Sequence, residues 1–165
     1  MDESKSFSAS YEASYEACYD TTARIISTAV PVLLASIVYA TGSAIAAGVG
    51  ALILLSAYAY SPRGYAVGDG MLVVKRLIGN VRIPLAGIRE ARAAMADDLT
   101  GCIRLFGSGG LFGWYGLFRT SKLGRSTWYV TDRKHAVVLA AAEKITLVSP
   151  DDLDGFLAAI QRLAG

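Results

Sequence analysis

The segment richest in chemically suggestive residues runs Gly107-Ser108-Gly109-Gly110-Leu111-Phe112-Gly113-Trp114-Tyr115-Gly116. Glycine runs of this kind can cradle phosphate, but a phosphate loop needs Lys-Ser or Lys-Thr after its last glycine, and a dinucleotide loop must open a helix. Here Leu117-Phe118-Arg119 follows and leads into another strand-like stretch, so a nucleotide site is not expected. His135 stands alone between Lys134 and Ala136, with no partner at metal-ligand spacing. It reads as a surface residue at a strand start. Ser108 and Ser126 lack a paired-histidine signature. Asp97-Asp98 reads as a solvated loop and Asp151-Asp152 as a helix start. Cys18 and Cys102 show neither redox nor metal spacing and fit reduced thiols, with Cys18 near enough to a membrane for palmitoylation. The expectation is therefore no catalytic site, no metal and no cofactor.

Two readings of the glycine-rich segment remain. In one, the glycines permit tight turns and the aromatics fill the open end of a sheet structure. In the other, Phe112, Trp114, Tyr115 and Phe118 form an exposed aromatic tip ringed by Arg104, Arg119, Lys122 and Arg125. Such a tip would suit a headgroup layer, where aromatic rings are favoured and each basic residue adds about 1 kcal/mol of attraction to an anionic surface.

What must position these residues is legible from charge and period. The 38 residues from Ile25 to Pro62 contain no Asp, Glu, Lys, Arg or His. One helix of that length would span about 57 Å, too long for a hydrocarbon core of about 30 Å. Thr41-Gly42-Ser43 is a natural turn, so Ile25–Ala40 and Ala44–Tyr60 are expected as two short spans. A buried hairpin would normally show a polar face, and Ser, Thr and Tyr supply none that is charged. A signal peptide fits poorly, because a long acidic region precedes and a second apolar stretch follows at once. Gly48 and Gly50, among small alanines, would let helices approach closely. Arg24 flanks one end, Arg63, Lys75 and Arg76 follow the other, and the turn has no basic residue, which places both termini in the cytoplasm.

The tail through Asp20 carries net charge −4 and residues 61–165 carry +5. That mild excess suits an anionic leaflet and is too small to argue for nucleic acid. Tyr11, Tyr15 and Tyr19 recur with period four, which predicts a helical extension of the first span placing them at the interface. Residues 1–10 read as a loose polar tail.

From Tyr65 the period becomes two. Strands are expected at 65–67 and 71–78 around Gly68-Asp69-Gly70, then at 81–83, 88–94, 102–106, 127–130, 136–141 and 144–148. A last helix begins with Ser149 as N-cap and Pro150 at its first position. Leu153, Phe156, Leu157, Ile160 and Leu163 form its buried stripe.

The phrases SPRGYAVGDGMLVVKRLIGNVRIPLAGI, IRLFGSGGLFGWYGLF, YVTDRKHAVVL and LVSPDD, in this order, resemble bacterial PH-like domains that follow two membrane spans. The resemblance covers 61–165. It implies an α+β chain: a two-helix transmembrane hairpin, then a pleckstrin-homology-like antiparallel β barrel or sandwich closed by the C-terminal helix. It implies no activity, since this fold serves lipid, peptide and protein binding alike. The expected organisation is a flexible polar tail at 1–22, the hairpin at 23–60 and the PH-like domain at 61–165. The expected function is a non-enzymatic, membrane-anchored module in the cytoplasmic (inner) membrane. It would contact lipids through the hairpin and bind a membrane protein partner or the anionic membrane surface, with homo-oligomerisation open and nucleic acid excluded. The alternative is an accessory subunit or enzyme acting on lipid or cell-envelope precursors.

Overall fold

A computed structural model describes residues 13–142 and 144–164. The expectations for residues 1–10 and for Tyr11 lie outside them. Two helices, α1 (Thr21–Thr41) and α2 (Ala44–Tyr60), form an antiparallel hairpin. Asp20 caps α1, accepting from the Ala23 amide at 2.7 Å. Gly42 closes it in the left-handed conformation, its N–H on the Val38 carbonyl at 2.9 Å. Ser43 then caps α2, accepting from the Ala46 amide at 3.2 Å. The Thr41-Gly42-Ser43 turn stands where the sequence puts it, because each residue has the local chemistry of its cap.

With 21 residues, α1 is long and apolar enough to cross a membrane, and only 6% of its span is buried. The 17-residue α2 is shorter than such a span. The two helices cover one another along one side, where Leu34 packs under Gly50, while Gly48 faces open space. Their outer surfaces, with Ile25, Leu33, Ile45, Leu52 and Leu55, are exposed.

The rest of the chain forms two sheets and a helix. Four strands, β1 (Ala13–Glu16), β2 (Gly64–Gly68), β3 (Met71–Lys75) and β4 (Val81–Pro84), lie in sequence order. Asp69 and Gly70 join β2 to β3, both at positive φ (51° and 68°), as a two-residue hairpin turn of the right twist demands. The second sheet contains β5 (Ile88–Ala93), β6 (Ile103–Gly110), β7 (Gly113–Thr120), β8 (Gly124–Val130), β9 (Val137–Ala141) and β10 (Ile145–Val148), in the order β5-β9-β10-β8-β7-β6. The C-terminal α3 spans Leu153–Ala164.

Three expectations change. Residues 13–16 are neither tail nor helix but strand β1, paired antiparallel with β2. A four-residue repeat is twice two, so Tyr15 keeps one face in a strand as well as in a helix; its ring packs edge-on against Phe156 at 5.3 Å. The strands are not all antiparallel, because the β9–β10 hairpin enters beside β8 and β10 runs parallel to it, Ile145 opposite Ser126. No closed barrel forms among the described residues. Finally, α3 starts later than expected. Asp152 caps it, accepting from the Gly155 amide at 3.0 Å. Ser149 is instead buried, its hydroxyl accepting from the Thr131 and Asp132 amides at 2.8 and 3.2 Å.

Two apolar clusters hold the domain together. The first joins the two sheets and α3 through Tyr65, Leu72, Leu139, Phe156 and Ile160. Tyr65 is fully buried, and burial pushes its hydroxyl up to about 12. It donates to the Tyr129 carbonyl at 2.6 Å and accepts from the Ser149 amide at 3.1 Å. The second cluster contains Trp114, Phe118, Trp128 and Leu147, and also Ala23 from the first turn of α1. The hairpin is thus packed into the domain at its base.

Candidate functional site

The last carbonyls of a helix have no intrahelical partner and must be satisfied from outside. At the C-terminal end of α2 the domain does this. The Tyr115 hydroxyl donates to the Ala57 carbonyl at 2.6 Å, and the Ile78 amide donates to the Ala59 carbonyl at 3.2 Å. Burial pushes the Tyr115 hydroxyl above its ordinary range, so it stays a donor. Arg63 lies over the Tyr58 ring at 4.4 Å and Arg76 over Tyr60 at 5.6 Å, placing cations where the helix dipole is negative.

The opposite side of the base is made by the β6–β7 turn. Phe112 has φ 54°, a strained conformation for a bulky residue. It is held there by its amide donating to the Ser27 hydroxyl at 2.8 Å and by its ring meeting Tyr58 edge-on at 5.4 Å. The glycines behind this turn have a steric role. A Cβ on Gly107 would fall on the Tyr115 carbonyl, and one on Gly116 on the Phe106 carbonyl, so the two strands cross closely at a glycine pair.

The expected aromatic tip does not form. Trp114, Tyr115 and Phe118 are buried in β7, with Phe118 stacked on Trp128 at 4.6 Å. In a strand, successive side chains take opposite faces, and both faces of β7 are covered, one by the second apolar cluster and the other by α2. The expected basic ring is divided too. Arg119, Lys122 and Arg125 lie at the far end of the β7–β8 hairpin, about 20 Å or more from Gly113 at the rise of an antiparallel strand. Lys122 there approaches Asp98 at 3.4 Å. Arg104 is the exception, because its side chain folds back along β6 over Gly109 towards the hairpin.

Asp98 also departs from expectation, being fully buried rather than solvated. It accepts from Arg92 Nη2 at 3.1 Å and from the Met95 amide at 2.8 Å. The Arg92 guanidinium holds its carboxyl well below the usual range. His135 is exposed, as expected, with Nδ1 2.7 Å from Asp132.

Two clefts flank the hairpin base. One, of about 900 Å³, runs between the helices and β6–β7 and is lined by Val30, Ile53, Tyr60, Arg76, Arg104 and Phe106 among others. The other, of about 610 Å³, is lined by Tyr19, Arg24, Ser27, Tyr58, Arg63 and Phe112. Each combines an apolar wall with two arginines. Arg76 is absent from any reading of a site in the sequence; the only signal it gave was its place after the second helix, used for orientation.

Residues 63–164, which carry β2 to β10 and α3, match the family described as the bacterial PH domain. The chain belongs to that family. Neither a curated protein nor a solved structure matches it. The PH domain here is therefore continuous with the helical hairpin through Ser61-Pro62, and both clefts lie at that junction. Tyr19 strengthens it, donating to the Pro62 carbonyl at 3.5 Å.

Proposed function

We propose that this chain is a non-enzymatic, membrane-anchored binding module whose hairpin crosses the cytoplasmic membrane and lays its PH domain against the anionic cytoplasmic leaflet. The observation that carries the reading is the collection of arginines and exposed aliphatics at the hairpin base. Arg24, Arg63, Arg76 and Arg104 line the two clefts there. The β3–β4 turn, tied to the end of α2 by the Ile78 amide, exposes Leu77 and Ile78. Tyr58 and Tyr60 stand in the last turn of α2, at the depth where tyrosine rings are favoured.

Of the two contacts expected from the sequence, a protein partner and the leaflet, this placement favours the leaflet. The domain needs little affinity of its own, because the anchor keeps its local concentration high. Asp98 holds Arg92, Asp132 faces His135 and Asp152 caps α3, and no described carboxylate lines either cleft.

The test is hydrogen exchange of the full chain in nanodiscs of phosphatidylcholine alone and with added phosphatidylglycerol. The turns at 76–80 and 110–113 should gain protection in the anionic discs and lose it as salt is raised, since screening shortens to about 8 Å at physiological ionic strength. Equal exchange of both turns in the two discs and in detergent sinks the reading.

A further inference from the structure

The larger cleft has an unusual vertical composition. Val30 and Ile53 line it about 13 Å and 10 Å along the helices from their domain-side ends, at 1.5 Å per residue. Those positions lie within the apolar part of the hairpin. Arg76 and Arg104 line the same cleft on the domain side. Gly107, Gly109 and Gly116 form part of its wall from backbone alone. The two serine hydroxyls in its lining, Ser56 and Ser108, already donate to the Leu52 and Leu111 carbonyls at 2.7 and 2.8 Å. The guanidinium groups thus carry its positive charge, and no carboxylate among the described residues pairs with either. Arg76 is moreover held in place: its Nε donates to the Gly79 carbonyl at 2.7 Å, and it lies over the rings of Tyr60 and Tyr129 at 5.6 and 6.0 Å.

We propose that this cleft binds one anionic glycerophospholipid, its phosphate between Arg76 and Arg104 and an acyl chain against Val30 and Ile53. The proposal rests on the membrane-anchored reading and narrows it from a surface to a single lipid. An apolar wall at membrane depth suits an apolar occupant, and two arginines without a carboxylate partner at its domain end attract an anion. A phospholipid supplies both in one molecule. A soluble phosphate would leave the apolar wall empty, and an apolar helix of another protein would leave the arginines without a counter-charge. The volume, about 900 Å³, lies within the range of small-molecule sites.

The test is native mass spectrometry of the full chain released from mild detergent, titrated with phosphatidylglycerol or phosphatidylcholine. One phosphatidylglycerol per chain should be retained under conditions that strip phosphatidylcholine, and excess inorganic phosphate should not displace it. The Arg76→Gln/Arg104→Gln variant should bind phosphatidylglycerol about tenfold more weakly or worse, the loss expected for a charge-assisted bond. The Arg76→Lys/Arg104→Lys variant should retain most of the affinity, which separates loss of charge from loss of fold. Ile53→Trp, which fills the apolar arm, should lower retention with the arginines intact. Equal retention of the two lipids, displacement by phosphate, an unaffected glutamine variant, or a bound polypeptide in place of lipid would each overturn the proposal. Protection of the two turns in anionic nanodiscs without a retained lipid would leave the surface reading standing and remove only the cleft.

Discussion

A carboxylate taken out of water has to find donors, and Asp98 finds them in Arg92 and the Met95 backbone, with the Lys122 ammonium 3.4 Å away as a further counter-charge. Nothing local in the sequence announces the pairing with Lys122, since Arg92 lies in β5 and Lys122 in the β7–β8 turn. The consequence is a pH dependence with a definite sign. A carboxyl held below its usual range contributes stability that is complete above the unfolded value, about 3.9, and fades as pH falls further. Asp98→Asn keeps the shape and removes the charge. It should cost about 1–3 kcal/mol near neutrality, and its deficit against the parent should shrink below pH about 4. Thermal unfolding of both proteins in detergent from pH 7 to 3 reads the difference; a deficit constant over that range would show that the charge is not what matters.

At the scale of elements, β6 and β7 decide whether the hairpin has a seat. Their turn meets α1 at Ser27, and Tyr115 meets α2 at Ala57. The close crossing at Gly107 and Gly116 requires φ of 102° and 127°, where a side chain is strained by about 1–3 kcal/mol before any clash is counted. Gly116→Ala adds that clash, with the Phe106 carbonyl. The expected outcome is a lower unfolding temperature together with faster amide exchange across 103–110, while α3 keeps its protection. Exchange unchanged in β6 would mean that the strand pair tolerates a side chain there. The same geometry explains why Trp114, Tyr115 and Phe118 are core residues. Glycines let the strands come together, and the large rings fill the faces that result.

For the molecule as a whole, the question is which way it sits. Among the described residues only α1 has the length of a span, yet α2 returns to the same domain, so a crossing α1 would bring α2 back through the bilayer with it. At about 26 Å, α2 would thin the bilayer slightly or rely on its terminal tyrosines. On the anchoring proposed above, the positive-inside rule predicts both termini in the cytoplasm. Ser43→Cys, in a chain with Cys18→Ser and Cys102→Ser, should react with a membrane-impermeant maleimide added outside intact cells, while a reporter after Gly165 should behave as cytosolic. A turn that labels only after lysis, or a reporter active outside, would refute this arrangement.

The sequence by itself determined what depends on near neighbours. The uncharged stretch and its Thr41-Gly42-Ser43 break, the Asp69-Gly70 turn and the apolar stripe of α3 are all local patterns of period, cap and turn, and the structure has them. The match at residues 63–164 likewise agrees with the phrases that resembled PH-like domains. Tertiary structure decided what depends on distant residues. Residues 13–16 became a strand because β2 offers an unpaired edge, and a period of four fits either secondary structure. Ser149 left its cap position because the Thr131 and Asp132 amides, buried beside it, needed an acceptor. Trp114, Tyr115 and Phe118 were buried by partners far along the chain, and Arg119, Lys122 and Arg125 were carried to the far end of their hairpin. Arg76, Arg104, Val30 and Ile53 come to line one cleft for the same reason. Long-range packing gathers segments whose own sequences carry no sign of one another.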